Sequence, residues 1–150
     1  MKDQFYLHFD TMPAGTAQQK RYNSRTGKYF KDAKLAILER QFRIALLPHR
    51  PKVPSTKPIK LTVWFAWDVK DKNLWGKVKP TTPDTDNYIK EFKDVMADLG
   101  FFKSDAQIVD EHIYKTYAEK ATIMVSWSEI FDPSDLYIRK ETEPKEEEES

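Results

Sequence analysis

The chain contains no cysteine. Disulfides, thiolate zinc sites and a cysteine nucleophile are therefore excluded, and a reducing compartment is compatible with the composition. Glycine is scarce, with four residues. Neither a Gly-rich phosphate loop nor a Gly-x-Ser-x-Gly elbow is present. The three histidines, His8, His49 and His112, have no mutual spacing that suggests a metal site. No apolar run approaches the roughly 18 residues of a membrane span. The stretch after Met1 lacks the apolar core of a signal peptide. The chain thus reads as soluble, unexported and without membrane partners, and no internal repeat is visible.

What is present is enough for one core. The 150 residues are 39% apolar, with 9 Phe, 7 Tyr and 4 Trp, which argues against wholesale disorder. Residues 1–132 read as one domain and 133–150 as an acidic, frayed tail. That tail carries seven acids and three bases, a balance of −4. The chain's net charge is +1, which leaves +5 for the first 132 residues. Between Thr11 and Lys57, eleven Lys or Arg face only Asp32 and Glu39. Charge of one sign over one surface concentrates polyanions, although a solvated face is the ordinary reading of a basic segment.

Periodicity predicts a mixed α+β fold with a small sheet and two main helices. Gln4–Phe9 reads as a buried strand and residues 11–24 as a loop. Asp32 is a candidate cap for a helix over about 33–47, with Leu35, Leu38, Phe42, Ala45 and Leu46 as its inner stripe. Pro48, Pro51, Pro54 and Pro58 then demand an extended connection. Residues 60–67 are apolar on both faces, which predicts a central strand. A second helix is predicted over 87–99, with Tyr88, Ile89, Phe92, Val95, Met96 and Leu99 inside and Gly100 as its stop. Residues 108–117 and 121–128 read as two strands, and their short link suggests an antiparallel hairpin. Trp64, Trp67 and Trp127 are expected in the core.

The segment Pro83-Asp84-Thr85-Asp86-Asn87 carries the chemistry. In an extended stretch Asp84 and Asp86 point the same way and can reach one ion. Asp86 also fits as cap of the second helix, at its positive end. Lys90 and Asp94 follow at i+4 and i+8 on the same helical face. Asp105 lies in the turn beyond that helix and is a candidate third carboxylate. Two carboxylates about 4 Å apart repel by roughly 4 kcal/mol at an effective dielectric near 20, so a converging set needs a cation. All-oxygen ligands suit Mg²⁺ or Mn²⁺. An EF-hand is disfavoured, since the next ligand position is Tyr88 and no glycine makes the sharp turn. Taken singly, each feature has an ordinary reading: capping for Asp84 and Asp86, a surface pair for Lys90 and Asp94, a turn for Asp105.

Taken together, residues 82–90 (TPDTDNYIK), Asp94 and residues 99–110 (LGFFKSDAQIVD) resemble the RusA family of Holliday junction resolvases. The resemblance implies an α+β homodimer that binds four-way DNA junctions and cuts them with Mg²⁺ or Mn²⁺, of a kind found in phages and prophages and active in the bacterial cytoplasm. It implies metal-binding and catalytic roles for Asp84, Asp86 and Asp105, and a catalytic role for Lys90. Asn87 and Gln107 match motif positions of supporting character. Two departures are visible. Ser104 stands where the family often has a second Asp, and Met12-Pro13-Ala14-Gly15-Thr16 replaces a Pro-Pro-Ser-x-Asn run. Lys20, Arg21, Arg25 and Lys28 are candidate phosphate contacts on charge density alone. The rival readings are a non-catalytic DNA- or junction-binding protein on the same scaffold, and an interaction module whose acids only cap and solvate.

Overall fold

The structure, a computed structural model, describes residues 2–14, 20–31 and 33–136, and the side chains of 20–22 and 29–31 lie outside the described set. Six strands form in chain order: β1 (Lys2–Phe9), β2 (Lys20–Asn23), β3 (Lys28–Lys31), β4 (Ile59–Asp68), β5 (Ile108–Ala118) and β6 (Ala121–Glu129). Two helices, α1 (Ala33–Leu46) and α2 (Thr85–Asp98), complete the frame. The main sheet has the order β1-β6-β4-β5. β4 pairs parallel with β5 and antiparallel with β6, and β1 pairs antiparallel with β6. The α+β class with a mixed sheet and two helices is therefore observed.

Both helices bury the stripes their spacing predicts. Leu35, Leu38, Phe42 and Leu46 of α1 are fully buried, as are Phe92 and Met96 of α2. They meet Leu61, Val63 and Phe65 of β4 and Ile123, Val125 and Trp127 of β6. Phe42 and Phe65 pack edge-on against Tyr88 and Phe92, the geometry that ring quadrupoles favour. Gly100 ends α2 as expected, at φ +86. The Phe101 amide donates to the Met96 carbonyl and the Gly100 amide to the Ala97 carbonyl, both at 3.0 Å, which is a Schellman closure. A side chain at position 100 would also touch Pro54, whose Cγ lies 3.4 Å from the place of a Cβ.

The second face of the sheet is not covered by either helix. Tyr6, Met124, Trp64 and Tyr114 form one row across all four strands on that face. Trp64 is 42% exposed and donates from Nε1 to Thr116 Oγ1 at 2.7 Å, so it is not the core residue expected. Trp127 is buried, and Trp67 is half-buried against the core.

Two further expectations are corrected. Residues 20–23 do not continue the expected loop of 11–24: they form β2, which pairs with β3 as an antiparallel hairpin around Ser24–Gly27, with Gly27 at φ +67. β5 and β6 are not a hairpin either. They flank β4 on opposite sides, and the two-residue link Glu119-Lys120 spans the end of that strand. Asp132 and Pro133–Asp135 form a capped 3-10 turn, with Asp132 accepting from the Ser134 amide. The candidate cap Asp32 and the acidic run 146–149 lie outside the described residues.

Candidate active site

α2 begins one residue after Asp84, not after Asp86. Asp84 is the N-cap, at φ −65 and ψ 141, and Asp86 sits inside the first helical turn. The correction matters for geometry. Successive helical residues turn by about 100°, so the in-line argument for two acids in an extended stretch does not apply here. The cap is also unusual in its chemistry. The Asp84 carboxylate accepts no capping hydrogen bond, although its backbone carbonyl receives the Tyr88 amide at 3.1 Å. An aspartate at this position ordinarily satisfies a free N–H of the first turn. Asp84 and Asp86 are both exposed at the positive end of the helix.

Lys90 and Asp94 follow on the same face, both exposed. The Lys90 charge acts on Asp94, as the i+4 spacing requires. Although its surface is largely open, partial desolvation of the Asp94 carboxyl, together with the negative charge of Asp105, pushes it above the usual range. Asp105 therefore lies close enough to Asp94 for its charge to act there. Eight residues of helix, about 12 Å of rise, separate Asp94 from Asp86. Among the described residues, no three or more His, Cys, Asp or Glu side chains are grouped closely enough to hold a metal ion. The cage of Asp84, Asp86 and Asp105 expected from the sequence is thus not assembled. Asp84 and Asp86 fit Mg²⁺ in its commoner mode, in which one or two carboxylates share the ion with waters and substrate phosphate.

Asp105 is held by its neighbours. It opens a 3-10 turn, Asp105–Gln107, capped by Ser104, whose Oγ accepts from the Ala106 amide at 3.1 Å. Gln107 accepts from the Ser104 amide through Oε1 at 2.9 Å, closing a capping box. Its Nε2 donates to the carbonyls of Ser55 and Lys57, both at 2.9 Å. Ser55 in turn pairs with the strand-like Phe102. Gln107 therefore anchors the turn that carries Asp105. Ser104 and Asp are both good capping residues, so the departure from the family pattern keeps the local fold. Asn87 is half-buried in the first turn of α2.

The basic candidates fall on the hairpin. Arg25 and Lys28 are exposed at its turn, and the Arg25 amide donates to Asn23 Oδ1 at 2.9 Å. The backbones of Lys20 and Arg21 lie in β2, and their side chains are outside the described set. Among the histidines, His8 and His112 are strand residues, while His49 stacks on Phe5 with ring centroids 4.2 Å apart. Lysine 115 was missed by sequence reasoning. Its Nζ donates to the carbonyls of Thr81 at 2.6 Å and Pro83 at 2.7 Å, directly before Asp84. A lysine in a strand gives no local signal of such a contact.

Among the described residues, no helix is long and apolar enough to cross a membrane. The family model "Endodeoxyribonuclease RusA" matches residues 11–126. A crossover junction endodeoxyribonuclease, rusA, of Lactococcus phage r1t is 32% identical over 132 residues, covering 87% of this chain and all of that protein. The uncharacterized protein YqaN of Bacillus subtilis (strain 168) is 32% identical over 124 residues, covering 79% of this chain and 87% of its own length.

Proposed function

The chain belongs to the RusA endodeoxyribonuclease family, and on that premise we propose that it resolves four-way DNA junctions as a metal-dependent, structure-selective endonuclease. The observation that carries the reading is the state of the two acids at the start of α2. Both are exposed, and the Asp84 carboxylate is not spent on the helix cap it occupies. Purely structural acids at this place would be expected to cap.

In this reading Asp84 and Asp86 hold Mg²⁺ or Mn²⁺, with Asp105 as the third carboxylate by its place in the motif. Such an ion, when bound, supplies charge stabilisation at the phosphate oxygens and a more acidic attacking water. Lys90, one turn along the same face, binds a non-bridging oxygen of the scissile phosphate and stabilises charge that develops there. The free amides at the N-terminus of α2 favour the same anion. Asn87 supports the first turn, and Gln107 fixes the turn of Asp105. Arg25 and Lys28, with Lys20 and Arg21 on the same hairpin, contact flanking phosphates and supply affinity without reading bases. A four-way junction offers two symmetry-related strands to cut, while one chain carries one such acid set. The reading therefore includes a homodimer, acting on DNA in the bacterial cytoplasm and encoded by a phage or prophage.

A second reading, a non-catalytic junction-binding protein, is favoured by one observation: the three motif carboxylates are not gathered into a cage among the described residues. A nicking assay on a synthetic four-way junction separates the two. Paired cuts with Mg²⁺ or Mn²⁺ that stop in EDTA, and that Asp86→Asn abolishes, support the endonuclease. Salt-sensitive binding with no cutting in either metal supports the second reading.

A further inference from the structure

The loop that leads into α2 is tied to the free edge of β5. The Gly76 amide donates to the Tyr117 carbonyl at 2.8 Å, the Tyr117 amide to the Lys77 carbonyl at 2.9 Å and the Lys79 amide to the Lys115 carbonyl at 3.0 Å. This main-chain pairing centres on the bridge between Val78 and Thr116. Past Lys79 the tie is carried by side chains. Lys79 Nζ donates to Thr81 Oγ1 at 2.5 Å and lies 5.5 Å from the ring centres of both Trp67 and Tyr117. Lys115 Nζ then donates to the carbonyls of Thr81 and Pro83. The second of these bonds ends one peptide unit before Asp84. Lys115 is half-buried, which strengthens a charge-assisted bond relative to one in open water.

We propose that Lys115 is a positioning residue for the reactive centre: its ammonium clamps the Thr81 and Pro83 carbonyls to β5 and so fixes where Asp84 stands at the start of α2. The inference rests on the endonuclease reading above. The physical reason is placement. A carboxylate that must meet both an ion and a phosphate tolerates errors of only about 0.5 Å, and a 1 Å misplacement costs on the order of 100-fold in rate. A turn held only at Lys79 leaves four residues before Asp84 without a main-chain partner in the sheet. Lysine supplies three donors on a flexible stem, so one side chain can reach two carbonyls.

The test compares the full chain with Lys115→Met, which keeps the stem and removes the donors, and Lys115→Arg, which keeps charge and donors. Three quantities are read: kcat and KM for junction cleavage across a Mg²⁺ series, junction affinity in EDTA, and hydrogen exchange of the Tyr88 amide, which bonds the Asp84 carbonyl. Lys115→Met is expected to lower kcat by roughly 10- to 100-fold. It should leave junction affinity within twofold, raise the Mg²⁺ needed for half-maximal rate and speed exchange at Tyr88 while β4 and β6 amides keep theirs. Lys115→Arg should recover a large part of kcat. A Lys115→Met protein that cuts like its parent overturns the proposal. So does a loss of rate with uniform acceleration of exchange throughout the sheet, because that reports general destabilisation. A parent that cuts no junction overturns the endonuclease reading and the catalytic part of this one; faster exchange confined to Tyr88 then upholds the clamp alone.

Discussion

The Tyr88 hydroxyl donates a 2.6 Å hydrogen bond to the carbonyl of Pro13, a residue 75 positions earlier, and the bond is buried. Burial pushes the Tyr88 hydroxyl far above its ordinary pKa, so it remains a donor across the working pH range. The bond pins the start of the segment leading to the basic hairpin against the first turns of α2. Replacing Tyr88 by Phe keeps the ring contacts with Phe42, Phe65 and Trp67 and strands the Pro13 carbonyl. The expected loss of stability is about 1–3 kcal/mol. Urea denaturation measures it; an unchanged midpoint would show that water replaces the hydroxyl.

Asp84→Asn and Asp86→Asn should each abolish metal-dependent cleavage while leaving junction affinity equal to or above that of the parent. Each removes a negative charge from the proposed metal site and leaves the basic hairpin untouched. Gel-shift titration in EDTA beside a cleavage time course reads both quantities on one substrate. Loss of binding together with cutting would move these acids from chemistry to folding.

Arg25→Ala and Lys28→Ala act on affinity instead. Each exposed cation that contacts a phosphate releases about one counterion on binding, so its removal should lower the slope of log K against log salt by roughly 1. The double variant should weaken junction binding evenly across sequences. Affinity measured from 50 to 300 mM salt decides this, and an unchanged slope would take the hairpin turn off the DNA.

Asp94 gives a pH prediction. Burial first, then the charge of Asp105, raises its carboxyl, with smaller help from Asp98 and Glu39 and against the pull of Lys90. A carboxyl whose folded pKa lies above its unfolded value near ~3.9 stabilises the fold below that value and loses the contribution as pH rises through the folded pKa. At pH 7 the ionised group is therefore unfavourable. Asp94→Asn should raise the thermal midpoint slightly at pH 7 and lose its advantage as pH falls toward the unfolded carboxyl range. Melting curves from pH 3.5 to 8 follow this. Asp105→Asn should bring the Asp94 pKa down, which carboxyl carbon NMR reads directly.

Gln107→Ala removes two donations to the Ser55 and Lys57 carbonyls and half of the box with Ser104. It should cost about 1–2 kcal/mol and slow cleavage more than it weakens binding. Comparing rates under conditions where the variant is fully folded separates the two effects.

Much of this was legible from residue spacing. The two helical stripes, the two-sided apolar pattern of β4 and the glycine after Leu99 are local signals, and each names its element directly. The hairpin β2–β3 was not legible, since residues 20–31 mix rings and charges without alternation and turn over four residues, not through a two-residue Asn-Gly type. Strand order was hidden for another reason. A two-residue link normally joins neighbours, and nothing local to Glu119-Lys120 reports that β4 lies between the strands it connects. The acid motif was visible as a pattern, but its geometry depended on two residues of helix boundary, which moved the cap from Asp86 to Asp84. Where Asp105 would fall depended on a turn tied to residues 55–57, some fifty positions away in sequence.

The sheet order has a consequence for biogenesis. Among the described residues β1 pairs with one strand, β6, with Lys2 opposite Ser128 and Phe9 opposite Ala121. Until Ala121–Glu129 has been made, the first strand has no strand of the sheet to pair with, although Phe5 can already stack on His49. The sheet closes only when Ala121–Glu129 slides between β1 and β4, so a nascent chain stalled before that strand cannot complete its core.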